Sequence, residues 1–242
     1  MEAVILAGGL GSRLKPFTQV IPKPLLPIGE SSVLEIQILS LKKCGFNHVY
    51  IATNYKSDYF RAFLGDGSKY GVRIDYSEEK KPLGTCGPVM LLKDQLTEPF
   101  LLMNGDILTT LDFKAAYAFA TRLDTYLTVF TKKIATPFRF GKVISEGNFV
   151  SGIEEKPTID IEILAGIYIL KPAVFDLIPA DQYYGIDMLI KLLLSRNMKI
   201  AKYLITDYWL DIGQPNDYQS AQASYNEYFI DLVNEAKNKN DE

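Results

Sequence analysis

The sequence predicts an α/β protein with a Rossmann-like, mixed but mostly parallel sheet flanked by helices. Two features of the chain lead to the α/β class. Apolar runs of four or five residues recur at Ala3–Ala7, Val49–Thr53 and Phe100–Met103. They are too short for helices and apolar throughout, as strands covered on both faces are. Between them lie segments with helical spacing and helical end signals. The 242 residues, 48% hydrophobic and 23% charged, suit one domain.

Taken in order, Ala3–Ala7 reads as a central strand that stops at Gly8-Gly9. Ser32 and Glu35 form a capping box for a helix that runs to Cys44 and ends at Gly45. The run VYIAT is a second strand, Asp58–Leu64 a short helix closed by Gly65, and VRIDY a third strand. A glycine-rich loop, EEKKPLGTCGP, leads into the apolar run VMLLK. The strand Phe100–Met103 then ends in Asn104-Gly105-Asp106, and a helix over Asp112–Thr121 leads into YLTVFTK. From here the pattern turns antiparallel: GKVIS, the turn Glu146-Gly147-Asn148 and VSGIEEK read as a hairpin, followed by the strand EILAGIYIL. Pro172 suits a helix start. A helix over Ile186–Arg196, a strand over Ile200–Leu204, the motif YWLDIG and one polar helix from Pro215 toward Asn238 complete the chain. The order suggests a nucleotide-binding part over about residues 1–125 and a more antiparallel part after it, with a charged tail, KNKNDE, at the end.

Composition narrows the chemistry. A net charge of −3 argues against a nucleic-acid or anionic-membrane partner. No run approaches the ~18 apolar residues of a membrane span, and no signal-peptide pattern opens the chain. Cys44 and Cys86 lack metal-ligand spacing and read as reduced thiols, so a cytoplasmic protein is expected. The one histidine, His48, opens a strand. Chemistry built on a histidine base therefore gives way to chemistry by carboxylates, metal ions, lysine and arginine.

A glycine turn after the first strand of such a sheet sits where ligands bind, and lets backbone N–H groups approach phosphate. The dinucleotide fingerprint fails because Leu14 stands where its third glycine belongs, and the GxxxxGK[ST] loop does not occur. What remains is a loop with two cations, Arg13 just past the glycines and Lys23 between Pro22 and Pro24. Prolines on both sides limit backbone freedom, which suits a cation that must meet polyphosphate in a set geometry.

GGLGSRLKPFTQVIPKPLLPI resembles the signature of the sugar-1-phosphate nucleotidyltransferases, and PLGTCGP, NGD, GIEEKP, AGIYIL and WLDIG follow in the family's order, covering about residues 1–220. The resemblance implies transfer of a nucleoside monophosphate from an NTP to a sugar 1-phosphate, with Mg²⁺ as cofactor. It implies nucleotide contacts at Leu6, Gly8, Gly9, Gly11, Ser12 and Arg13, and again at Glu79, Gly84 and Thr85. Arg13, Lys23 and Asp106 would be catalytic, with Asp106 and Asp211 the metal ligands. Asn104, Gly141, Glu155, Lys156, Ala165 and Gly166 would surround the sugar phosphate, in a part spanning about residues 126–220. The plain alternatives are a turn residue at Asp106, a polar residue leading a helix at Asp211, and a solvated charge run at Glu79. Trp209 reads as packing.

The loop PLGTCGP is most similar to the guanylyltransferase branch that acts on mannose- and heptose-type sugars, while Phe138-Arg139-Phe140-Gly141 is similar in part to cytidylyltransferases. A thymidylyl, uridylyl or cytidylyl transfer, or a silent regulatory relative that binds an NDP-sugar, are the other readings. The 242 residues hold no hexapeptide repeat of the kind some relatives carry, so nucleotidyl transfer without a β-helix domain is expected. The last helix, with Tyr218, Tyr225, Tyr228 and Phe229, is expected to dock on its own domain or on a second subunit as a homodimer.

Overall fold

A computed structural model describes residues 1–54 and 56–238. The end of the expected charged tail, 239–242, lies outside the described residues.

The central sheet has seven strands. In chain order they are β1 (Glu2–Leu6), β2 (His48–Thr53), β3 (Arg73–Glu78), β4 (Phe100–Asn104), then, past the short strand β5 (Ile107–Thr109), β6 (Leu127–Pro137). A two-stranded hairpin of β7 (Lys142–Glu146) and β8 (Phe149–Glu154) is followed by β9 (Thr158–Leu170), β10 (Ala201–Leu204) and the short β11 (Trp209–Asp211). The order across the sheet is β10-β6-β9-β4-β1-β2-β3. The four strands from β4 to β3 are parallel, whereas β9 runs antiparallel to both β4 and β6. This is the predicted mixed sheet, with the antiparallel part in the second half of the chain.

The apolar runs form central strands because both of their faces are buried. Ala3 and Ile5 pack on one side with Leu34, Ile38 and Phe113, and Val4 packs on the other with Val89, Tyr168 and Leu189. The first side is covered by α1 (Val33–Lys43) and, beyond the short α2 (Ser57–Leu64), α3 (Phe113–Arg122). The second is covered by 3-10 turns at Gly87–Leu92 and Pro172–Asp176 and by α4 (Ile186–Ser195). The capping box of α1 is present: Glu35 N–H donates to Ser32 Oγ at 3.1 Å, and Ser32 N–H to Glu35 Oε2 at 2.8 Å.

Two expected helices differ. Pro172 opens only the 3-10 turn, not an α-helix. The last helix is broken into α5 (Pro215–Tyr228) and α6 (Ile230–Asn238) at Phe229, whose φ of −128° is not helical. Tyr225, Phe229 and Val233, spaced four apart on one side, are all buried with Leu14, Ile28 and Ile36. Of the two expected dockings for this end of the chain, the one on its own domain is observed. Two elements also run longer than expected. Strands β6 and β9 continue past the core as a two-stranded arm over 132–137 and 158–164, and carry the β7–β8 hairpin at its end. Among the described residues, no helix is long and apolar enough to cross a membrane.

Candidate active site

The parallel strands β1, β2, β3 and β4 all finish at one edge of the sheet, and a cavity of about 470 Å³ opens just beyond them. Each strand end supplies a wall: Gly8 and Gly9 after β1, Asn54 after β2, Glu79 after β3, Asn104 and Asp106 at the end of β4. This is the position at which open α/β sheets bind ligands. Leu6, Gly84 and Thr85 line it too, so eight of the residues expected from sequence share one cavity.

Glu79 is buried, with its Oε2 accepting the Leu83 N–H at 2.7 Å. Burial pushes its carboxyl above the usual glutamate range, opposed by that hydrogen bond and by one from the Asn54 side chain. The solvated reading of Glu79 does not hold. Gly8 lies against it so closely that a Cβ there would fall 2.8 Å from Glu79 Oε1, hence a glycine.

The opening loop is held by its own backbone. Thr18 Oγ1 donates to the Gly11 carbonyl at 2.8 Å, and Ser12–Leu14 form one 3-10 turn that buries Leu14 and leaves Arg13 exposed. Lys23 forms an ion pair with Asp106, and its side chain is only 11% exposed. Asp106 is held from three sides. Gly105 N–H donates to the Leu6 carbonyl at 2.9 Å, Ile212 N–H donates to the Asp106 carbonyl at 3.0 Å, and the buried Gln37 amide donates to Asn104 and Ile107 carbonyls at 2.9 and 2.7 Å. Sequence gave no sign of Gln37, because a lone glutamine on a helix carries no motif.

The short pairing of β5 with β11 sets Asp211 opposite Ile107 and so beside Asp106. Burial raises the Asp211 pKa, the Asp106 charge raises it further, and Lys23 and Arg13 oppose the rise. Asp106 Oδ1 and Asp211 Oδ1 are both buried with no hydrogen-bond partner. Two buried, unpaired carboxylate oxygens side by side fit a hard divalent cation. Among the described residues no group of three or more His, Cys, Asp or Glu could hold a metal, so a cation at Asp106 and Asp211 would complete its shell with phosphate oxygens and water.

The residues expected around the sugar phosphate fall in two places. Ala165 and Gly166 sit where β9 shifts register. Gly166 has φ +69°, and a Cβ on it would fall 2.7 Å from Asn104 Nδ2, so the glycine lets β9 cross against the cavity wall. Trp209 packs against the core as expected, and its indole N–H donates to the Ala165 carbonyl at 2.9 Å. Gly141, Glu155 and Lys156 stand instead on the exposed arm, outside the cavity lining. Glu155 turns toward Gly141, and Lys156 has φ +47°.

Tyr183, like Asn54, was not expected. Tyr183 lines the cavity because its loop is strapped to the glycine-rich loop: Tyr184 N–H donates to the Leu83 carbonyl at 2.8 Å, and Cys86 N–H to the Tyr184 carbonyl at 2.9 Å. Thr85 Oγ1 accepts the Ile186 N–H at 2.6 Å, which ties the same loop to the start of α4.

Residues 2–228 match the family model described as nucleotidyl transferase. The mannose-1-phosphate guanylyltransferase catalytic subunit beta of Xenopus tropicalis is 34% identical over 93% of this chain, and the chain spans 64% of that relative's length. Among solved structures, a Bacillus anthracis protein named for glucose-1-phosphate thymidylyl transfer superposes with a TM-score of 0.76 at 27% identity, covering 92% of this chain and 94% of that one. HddC from Yersinia pseudotuberculosis, solved with GMP-PN, superposes with a TM-score of 0.73 at 28% identity, covering 93% and 99%. The chain belongs to the nucleotidyl transferase family.

Proposed function

We propose that this protein condenses an NTP with a sugar 1-phosphate to give an NDP-sugar and pyrophosphate, with GTP as the nucleotide and a mannose- or heptose-type sugar as the acceptor. The observation that carries the reading is the pair of buried, unpaired oxygens on Asp106 and Asp211, set beside Lys23 and Arg13 at a cavity closed by Gly8 and Gly9. A sugar phosphate is a nucleophile at neutral pH and needs no base, which accords with a site that contains no histidine. Its oxygen attacks the α-phosphorus and pyrophosphate leaves, so the barrier is the approach of two anions and the charge that grows on the leaving group. Lys23 and Arg13 offset that charge and hold the triphosphate, as electrostatic catalysis of phosphoryl transfer requires. Mg²⁺, bound by Asp106 and Asp211, would supply a further positive charge shared with the phosphate oxygens.

Glu79 supports guanine. A carboxylate accepts hydrogen bonds and donates none, and guanine offers a ring N–H and an amino group side by side, whereas thymine and uracil offer one N–H. The guanylyltransferase relatives support the same base. Asn104, Ala165 and Gly166 form the sugar side of the cavity in this reading, with Glu155 and Lys156 binding the sugar phosphate from the arm. Free Cys44 and Cys86 suit the reducing cytoplasm in which NTPs are made.

The test is pyrophosphate release by the purified protein, given each NTP with a panel of sugar 1-phosphates and Mg²⁺. Release that requires both substrates, fastest with GTP, is expected. No release from any pair while NDP-sugars still bind would replace the enzyme with a silent sugar-nucleotide sensor. Release fastest with another NTP would retain the enzyme and overturn the reading of Glu79.

A further inference from the structure

Gln37 stands on α1 among side chains that the helix buries in the core, Ile36, Ile38 and Leu41, and is itself only 3% exposed. A buried amide must place its polar atoms or lose the hydrogen bonds that water would have made. Its Nε2 donates to two backbone carbonyls, Asn104 at 2.9 Å and Ile107 at 2.7 Å. A carboxamide nitrogen carries two hydrogens, so both are used, and only the nitrogen can face a pair of acceptors. The oxygen is placed otherwise. Among the described residues, Gln37 Oε1 is buried with no hydrogen-bond partner. The gap lined by Gln37, Met103, Ile107 and Phe113 has no room for a water to supply one.

That orphaned oxygen destabilises the fold, and a methionine of nearly the same shape would remove it. The use of the amide therefore lies in its two donors, and these bracket Asp106. Asn104 ends β4, Ile107 opens β5, and Gly105-Asp106 is the turn between them. Ile107 is also the register partner of Asp211 across the β5–β11 pair. One amide thus grips both ends of the turn that carries Asp106, and with it the residue opposite Asp211. The helix it reaches from is fixed at its N-terminus by the Ser32–Glu35 capping box.

We infer, on the basis of the function proposed above, that Gln37 is a positioning residue: it sets the spacing of the Asp106 and Asp211 carboxylates, and so the site that a divalent cation takes on them. Asp106 Oδ1 and Asp211 Oδ1 have no hydrogen bond of their own to orient them. The backbone beneath them must do so, and Gln37 holds that backbone. Loss of an outer hydrogen bond of this kind commonly weakens metal affinity or activity by about 10–100-fold.

The experiment titrates Mn²⁺, read by EPR, into the full chain with GTP and no sugar phosphate. The proteins are the wild type, Gln37→Met, Gln37→Leu and a packing control, Ile38→Val. Either Gln37 variant is expected to hold Mn²⁺ about 10–100-fold more weakly. In turnover with Mg²⁺, kcat should fall by a like factor while the KM for the sugar phosphate changes little. Ile38→Val, which loosens the same helix but leaves both hydrogen bonds, should keep the wild-type Mn²⁺ affinity. The wild type supplies a reading that needs no variant: in NMR, the Gln37 side-chain N–H signals should be protected from exchange and should shift when Mg²⁺ joins the GTP complex. Unchanged Mn²⁺ affinity in the Gln37 variants, an equal loss in Ile38→Val, or Gln37 signals that exchange freely or ignore Mg²⁺ overturns the inference, as does a wild type that binds no Mn²⁺. A wild type that holds Mn²⁺ and GTP but releases no pyrophosphate overturns the proposed function instead, and the Mn²⁺ comparison still decides Gln37.

Discussion

In the proposed reaction, charge compensation turns on Lys23, whose amine meets Asp106 beside the two unpaired oxygens. Lys23→Ala is expected to lower kcat by about 10²–10³-fold with a much smaller loss of NTP affinity, because its partner charge develops mainly in the transition state. Turnover assays beside calorimetric binding check this, and equal losses would reduce Lys23 to a ground-state contact. Glu79 carries a different signature. Burial raises its folded pKa above the ordinary 4.5. For a carboxyl whose folded pKa is raised, stability is fully present below the unfolded value and is lost as pH rises through the folded one. Glu79→Gln, which cannot ionise, should therefore melt higher than wild type at neutral pH, with the gap closing toward pH 4.5 and below. Melts across pH check the sign. Both residues were legible in sequence, Lys23 from its flanking prolines and Glu79 only from resemblance. Gln37 and Tyr183 were not, because hydrogen bonds between distant segments place them.

At the level of elements, the strands were the most legible part, since central parallel strands are apolar on both faces and end at glycine or a turn. The C-terminal helix was read as one because Pro215–Asn238 has no glycine or second proline inside it to mark a break. Phe229, at the break, is held by tertiary packing: its ring is buried among Tyr225, Val233 and Leu14, and sits edge-on to Tyr208 at 5.7 Å. Phe229→Ala is expected to cost about 3–5 kcal/mol in denaturant unfolding, as for other buried aromatic truncations. The register shift of β9 is likewise tertiary. Gly166→Ala would force a positive φ on alanine and press Asn104, at about 1–3 kcal/mol. It should raise the KM for the sugar phosphate as well, which separates a cavity wall from a purely structural turn.

Over the whole molecule, the parallel half of the sheet gathers eight of the expected site residues around one cavity, while Gly141, Glu155 and Lys156 ride on an arm outside it. Sequence order could not distinguish these situations, because both sets of residues follow apolar strands. The central claim is that the two halves act on one pair of substrates. The most direct measurement is ³¹P NMR of the protein with GTP, mannose 1-phosphate and Mg²⁺. The account predicts a new pair of coupled diphosphate resonances growing in step with pyrophosphate, and neither with Asp211→Asn. GTP and mannose 1-phosphate that persist unchanged beside folded wild-type protein, or pyrophosphate that grows without the diphosphate product, would contradict it.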